Sequence, residues 1–226
     1  MKQKTWFFIF LAVLLGELVG IQLQHIVLQY IFKPLIIPVL TGYLLSGTST
    51  RTGNLTKWVV AALLFSWAGD VLLLLESQKE IFFLLGLSSF LLAHIFYIVC
   101  FHHVRLREKV KSNPWLLVAV VIYYAVLINW LSPYLGDMKV PVRVYGIVIS
   151  FMLMLAMHML FIKNKIAGKS MTGGALLFVL SDSLLAINKF YQPFELAGIL
   201  IMLTYGSAQF FIVKGVTSYI RSENTR

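Results

Sequence analysis

One cysteine, Cys100, stands in 226 residues, and only 9 acidic side chains face 19 lysines and arginines. A lone cysteine excludes an intrachain disulfide and a cysteine-rich metal cage, so the redox state of the compartment leaves no mark here. Charge is scarce: 12% of the chain against ~25% in a soluble domain, while 59% is hydrophobic against the usual ~45–50%. An ordinary water-soluble domain is excluded, and the excess must face lipid. There is no Gly-x-Ser-x-Gly, which excludes the usual serine nucleophile elbow. There is no His-Glu-x-x-His, and the histidines lack ligand spacing along one helix, so no metal and no other cofactor is called for. Lys2 and Lys4 give the first apolar stretch the basic start of a signal peptide, but no small-x-small cleavage site follows. That stretch is expected to stay as an anchor.

What is present is a series of apolar runs, near 6–23, 26–45, 58–75, 81–101, 115–131, 142–162, 171–187 and 195–213. A spanning helix uses ~20 residues, so eight of them leave only short loops and tails. The expected fold is an all-α integral membrane protein with eight transmembrane helices, residues 1–226 forming one polytopic domain in the lipid bilayer. Lysines and arginines on alternate sides fix the orientation. One side collects Lys2, Lys4, Arg51, Lys57, Arg105, Arg107, Lys109, Lys111, Lys163, Lys165, Lys169, Lys214, Arg221 and Arg226, and the other only Lys79, Lys139, Arg143 and Lys189. Both termini are therefore expected in the cytoplasm. The net charge of +10 is a topology signal, and no nucleic acid partner is called for. Short loops, a basic cytoplasmic face and no ER-retrieval ending suit a bacterial inner membrane. The oligomeric state is left open.

An ionisable side chain at mid-bilayer costs ~2.5–3.5 kcal/mol on insertion scales, and Glu17, Lys33, Asp70, His94, His158 and Asp182 all stand inside the runs. At ~1.5 Å per residue, Asp70 comes out ~18 Å above the cytoplasmic end of its helix, Asp182 and Glu17 ~16 Å, and Lys33 ~20 Å. Three acids and one lysine share a level. Glu17 lies within Gly16-x-x-x-Gly20, a spacing that admits another helix closely.

The two aspartates have similar neighbours: Gly69-Asp70-Val71-Leu72-Leu73 and Ser181-Asp182-Ser183-Leu184-Leu185 share small-Asp-x-Leu-Leu, four helices apart. A four-plus-four parallel repeat would bring the carboxylates face to face. Lys189, at i+7 from Asp182, lies ~10 Å further along the same helical face. A phosphate held there would set an attached chain beside Asp182.

Lys33-Pro34-Leu35, Phe65-Ser66-Trp67-Ala68-Gly69-Asp70, Phe90-Leu91-Leu92-Ala93-His94-Ile95-Phe96-Tyr97, Gly174 through Ser181-Asp182, and Tyr205 with Ala208-Gln209 together resemble the YhhN family. These are the bacterial relatives of the vertebrate transmembrane lysoplasmalogenases, and the resemblance covers nearly the whole chain. It implies an eight-helix enzyme that hydrolyses the vinyl ether of lysoplasmalogen to a fatty aldehyde and glycerophosphoethanolamine or glycerophosphocholine. A lysophospholipid is then the partner. Many relatives are expected to carry two adjacent tyrosines in the last helix, where this chain has Tyr205-Gly206.

The chemistry matches the residues. A vinyl ether resists hydroxide but is protonated at the carbon distal to oxygen, giving an oxocarbenium ion that water captures. A protonated carboxylic acid supplies the proton, and a carboxylate steadies the cation and orients the water, as the carboxyl pairs of glycosidases do. Asp70 and Asp182 are the expected catalytic pair, with their division of labour open. Lys33, Ser66, Ser181, His94, Lys189, Tyr205 and Gln209 are expected to tune the pair, hydrogen-bond it or contact substrate. On the residues alone a proton-coupled transporter or lipid carrier is the rival, since relays are built from the same side chains. Pro34 and Pro38 have no proline counterpart in the run 142–162, which weakens the broken-helix pattern of transporters.

Overall fold

The computed structural model of the chain describes residues 2–48 and 53–224; Arg51 and Arg226 of the charge asymmetry lie outside them. The described residues form eight long helices: α1 (Gln3–Gln22), α2 (Ile26–Gly47), α3 (Asn54–Leu74), α4 (Ile81–Arg107), α5 (Pro114–Leu131), α6 (Lys139–His158), α7 (Lys165–Ala186) and α8 (Ala197–Asn224). All eight are long and apolar enough to cross a membrane, and the protein is a multi-pass membrane protein. Several outrun the apolar sequence. α4 continues six residues past 101 to Arg107 and α8 past 213 to Asn224, because a helix satisfies its own backbone as well in water as in lipid.

Local chemistry sets the ends. The side chains of Asn113 and Asn164 accept the backbone N–H of Trp115 and Ala167, capping α5 and α7. Between α1 and α2, Gln24 takes a positive φ of 50°, and the His25 N–H returns to the Gly20 carbonyl, closing the tight turn. Inside α2, Pro38 lacks the N–H that would bond the Pro34 carbonyl one turn earlier. The indole N–H of Trp67, on α3, donates to that carbonyl at 3.0 Å instead, which ties α2 to α3.

The packing order around the bundle is α1, α2, α3, α4, α6, α7, α8 and back to α1, with α8 also touching α2 and α3. α3 sits between α2 and α4 as α7 sits between α6 and α8, and α4 meets α6 as α8 meets α2. This is the packing that a four-plus-four repeat requires. The first helices of the two halves differ: α1 packs on α2 and α8, whereas α5 packs on α6 and on the turn after α7, burying only its Val120 and Leu131. Arg221 donates to the Gly47 carbonyl at 2.8 Å, Arg107 pairs with Glu223 at 2.9 Å, and Gly47 lies against Gln3. The ends of α2, α4 and α8 thus meet at the start of α1, and this is the terminal face.

α7 and α8 approach closely at Gly174, where an added Cβ would stand 2.7 Å from the Ala208 carbonyl oxygen and 2.7 Å from the Ile212 nitrogen. Backbone cannot step aside as a side-chain tip can. Gly174→Ala is expected to cost about 1–3 kcal/mol, read as a lower unfolding temperature in detergent. Its neighbour Gly173 faces open space, so Gly173→Ala should leave stability equal or slightly higher.

Candidate active site

Helix packing leaves a cavity of about 330 Å³ in the half of the bundle remote from the terminal face. Its walls come from the last turns of α1, α3, α5 and α7 and the first turns of α2, α4, α6 and α8. Most of the lining is apolar, including Leu73, Phe83, Leu87, Leu127 and Ile128, and the polar groups converge: Glu17, Lys33, Asp70, Tyr145, Asp182 and Tyr205. An apolar chamber with a few aimed polar groups is the usual form of a small-molecule site.

Asp70, on α3, is 2% exposed. The preceding Gly69 admits the Phe90 ring, which a Cβ would meet at 2.6 Å, so that ring closes over the acid. Tyr205 of α8 donates its hydroxyl to Asp70 Oδ2 at 2.7 Å. Behind it, the Gln209 amide donates to Ser66 Oγ at 2.9 Å and Tyr97 donates to Gln209 Oε1 at 2.5 Å. Ser66 and Gln209 are fully buried, so they hold Tyr205 and α3 in place from outside the chamber.

Asp182, on α7, receives the Tyr145 hydroxyl on Oδ2 at 2.5 Å. His94 Nε2 lies 2.9 Å from Tyr145 Oη and 3.3 Å from the same Asp182 oxygen. Tyr145 has one proton and gives it to Asp182 Oδ2, which accepts it whether or not the other carboxyl oxygen is protonated, so Nε2 is the donor to Tyr145 and shares its N–H with Oδ2. His94 Nδ1 is left buried with no partner among the described residues. Phe178 stands between the clusters, its ring 4.6 Å from that of His94 and 5.5 Å from that of Tyr205.

The clusters correspond through the repeat. Asp70 and Asp182 are separated by the same interval as Lys33 and Tyr145, and as Tyr97 and Gln209, which are 112 residues apart and bonded to each other. Each aspartate therefore sits in an equivalent frame with different furniture: Lys33 and Tyr205 around Asp70, Tyr145 and His94 around Asp182. Lys33 lines the same chamber as Asp70 and Glu17, yet makes no direct ion pair among the described residues.

The remaining sequence candidates fall elsewhere. Ser181 lines the chamber but spends its hydroxyl on the Ile201 carbonyl at 3.0 Å, joining α7 to α8. Lys189 stands off the chamber on a π-helical turn, Ile187–Tyr191, ion-paired with Glu76 and 5.0 Å over the Phe83 ring. His158 accepts the Asn113 N–H on Nε2 at 3.1 Å and holds the Met154 carbonyl through Nδ1, bracing the loop before α5. Tyr145 is absent from the sequence candidates, and Tyr97 stands there only as the end of a family segment with no site role, because an isolated tyrosine in an apolar run looks like any interfacial aromatic. The 112-residue interval, applied to Lys33 and Gln209, would have found them.

The sequence profile of the YhhN family matches residues 28–216. The chain belongs to the YhhN family. The match takes in Lys33, Asp70, His94, Tyr145, Asp182, Tyr205 and Gln209, and leaves Glu17 outside. The chain is 32% identical to human "Lysoplasmalogenase TMEM86B" over 177 residues, 76% of this chain and 68% of that protein. It is 29% identical to "Lysoplasmalogenase" of Mycobacterium tuberculosis (strain CDC 1551 / Oshkosh) over 203 residues, 88% of this chain and 73% of that one. Human "Lysoplasmalogenase TMEM86A" is 32% identical over 180 residues, 76% and 67% respectively. No solved structure matches. In this member of the family Gly206 takes the place where a second tyrosine was expected, and an added Cβ there would meet Leu14 Cδ1 at 2.7 Å. α1 fills that space, and the second hydroxyl at the aspartates comes from Tyr145.

Proposed function

We propose that this YhhN-family protein is a lysoplasmalogenase, an ether hydrolase working inside the membrane on the vinyl ether of a lysophospholipid. The observation that carries the reading is the convergence of Asp70 and Asp182 on one apolar chamber, each holding a tyrosine hydroxyl, in a chain whose relatives bear that name.

Asp182 is the acid and Asp70 the carboxylate, because Lys33 holds in the Asp70 frame the position that the neutral Tyr145 holds beside Asp182, and a cation there favours the ionised form. Asp182 gives its proton to the vinyl carbon distal to oxygen, and the π pair forms the new C–H bond, leaving an oxocarbenium ion. Water then adds to that ion and loses a proton to Asp70, forming a hemiacetal. On collapse the hemiacetal O–H proton returns to Asp182, Asp70 protonates the departing glycerol oxygen, and fatty aldehyde is released. One water is consumed and both acids end as they began. Tyr145 and His94 hold Asp182, and Tyr205 holds Asp70, so that neither carboxyl turns away as the charge moves.

The whole chain acts as one polytopic domain, with both termini cytoplasmic by the charge asymmetry and the chamber in the outer half of a bacterial inner membrane. The apolar walls suit a single chain entering from the lipid.

The test is aldehyde release by purified protein in detergent. Lysoplasmalogen is expected to give aldehyde, and the saturated alkyl-ether lysolipid, with no π pair to protonate, none. No aldehyde from well-folded protein at any pH would overturn the reading and turn attention to proton-coupled transport in liposomes.

A further inference from the structure

The mechanism uses neither Glu17 nor the ammonium of Lys33 as a contact to substrate. Glu17 is 1% exposed, lines the chamber, and its Oε2 has no hydrogen-bond partner among the described residues. It is held there by its own helix. Gly16 packs against the Phe32 ring and Gly20 against Leu28 and Gln29, so α1 and α2 approach closely and Glu17 lies across from Lys33. A buried carboxylate oxygen with no donor is costly unless something supplies one.

We propose that Glu17 and Lys33 form a receptor for a zwitterionic phosphoethanolamine head group, Lys33 taking the phosphate and the free oxygen of Glu17 taking the primary ammonium. The inference rests on the lysoplasmalogenase reading and extends it to the head group. Opposite charges on adjacent helices match the opposite charges of the ligand. A primary ammonium has N–H groups to give to Glu17 Oε2, whereas a trimethylammonium has none and leaves that oxygen unpaired, so the site distinguishes the two. Lys189, the lysine that the sequence offered for phosphate, is engaged with Glu76 away from the chamber, which leaves Lys33 as the lysine that lines it. Glu17 lies outside the region matched by the family profile, consistent with a device for choosing substrate beside a shared catalytic pair.

The experiment measures binding of two saturated alkyl-ether lysolipids, one with an ethanolamine head and one with choline, to the whole protein in nanodiscs. Neither is hydrolysed, so the readout holds whether or not the protein cleaves vinyl ethers. Glu17→Gln is expected to weaken ethanolamine-lipid binding about tenfold while changing choline-lipid binding less than twofold, and Lys33→Gln to weaken both alike. The ratio of kcat/KM values on the two lysoplasmalogens should shift with Glu17→Gln by the same factor. Equal loss for both head groups in Glu17→Gln, or no loss for either, would overturn the proposal. Absence of turnover with the binding difference intact would overturn the hydrolase reading alone. Should Glu17→Gln fold poorly, Glu17→Asp, which keeps the charge and shortens the reach, must show a smaller loss in the same direction.

Discussion

Asp182→Asn is expected to lower aldehyde release at least about 10³-fold, the upper part of the range for a lost general acid, with its unfolding temperature close to the parent's. The amide keeps the shape and still accepts the Tyr145 hydroxyl through its carbonyl, so little packing is disturbed. What it lacks is a proton acidic enough to reach carbon. Asp70→Asn should fall comparably but for another reason: the vinyl ether is still protonated, and the oxocarbenium ion lacks a base to activate water. The two variants therefore separate on addition of azide, a small anion that captures the cation without general-base help. Azide should restore consumption of lysoplasmalogen in Asp70→Asn, read as the α-azido ether formed in place of aldehyde, and leave Asp182→Asn inert. Rescue of Asp182→Asn instead would exchange the two roles, and full activity in both would reject carboxyl catalysis here.

Much of the fold was legible because lipid imposes a coarse requirement. Each helix needs ~20 apolar residues, and the runs state that directly. The shared level of Glu17, Lys33, Asp70 and Asp182 followed from counting residues along helices, and all four line one chamber. Finer features were set by contacts between helices distant in sequence. The Trp67 bond to the Pro34 carbonyl needs α2 and α3 side by side, and nothing along either helix announces it. Lys189 shares a helical face with Asp182 by periodicity, but the π-helical turn after Ala186 breaks that periodicity, and Glu76 from the end of α3 claims the ammonium. Tyr145 joins Asp182 only because α4, α6 and α7 converge. Its signal was present in the repeat, hidden because the equivalent residue in the other half is a lysine.

Tyr145→Phe tests whether that convergence serves the reaction or only the fold. Removing the hydroxyl takes a 2.5 Å hydrogen bond from Asp182 Oδ2 and the acceptor from His94 Nε2, whose N–H is left with Asp182 alone at 3.3 Å. A hydrogen bond to a charged group contributes about 1.5–3 kcal/mol, so kcat should fall roughly 10- to 150-fold with KM little changed. Since both donors meet one oxygen, His94→Gln and Tyr145→Phe should not be independent: the double variant is expected to lose less than the product of the single losses. The sharper comparison is in Asp182→Asn, where the acid is already gone and adding Tyr145→Phe should cost nothing further in turnover. A tyrosine that merely packed would lower the unfolding temperature equally in both backgrounds and leave the kinetic losses multiplicative. Tyr205→Phe supplies the matching case at Asp70, where a large loss in kcat with azide rescue preserved would tie that hydroxyl to water capture, the step assigned to its own aspartate.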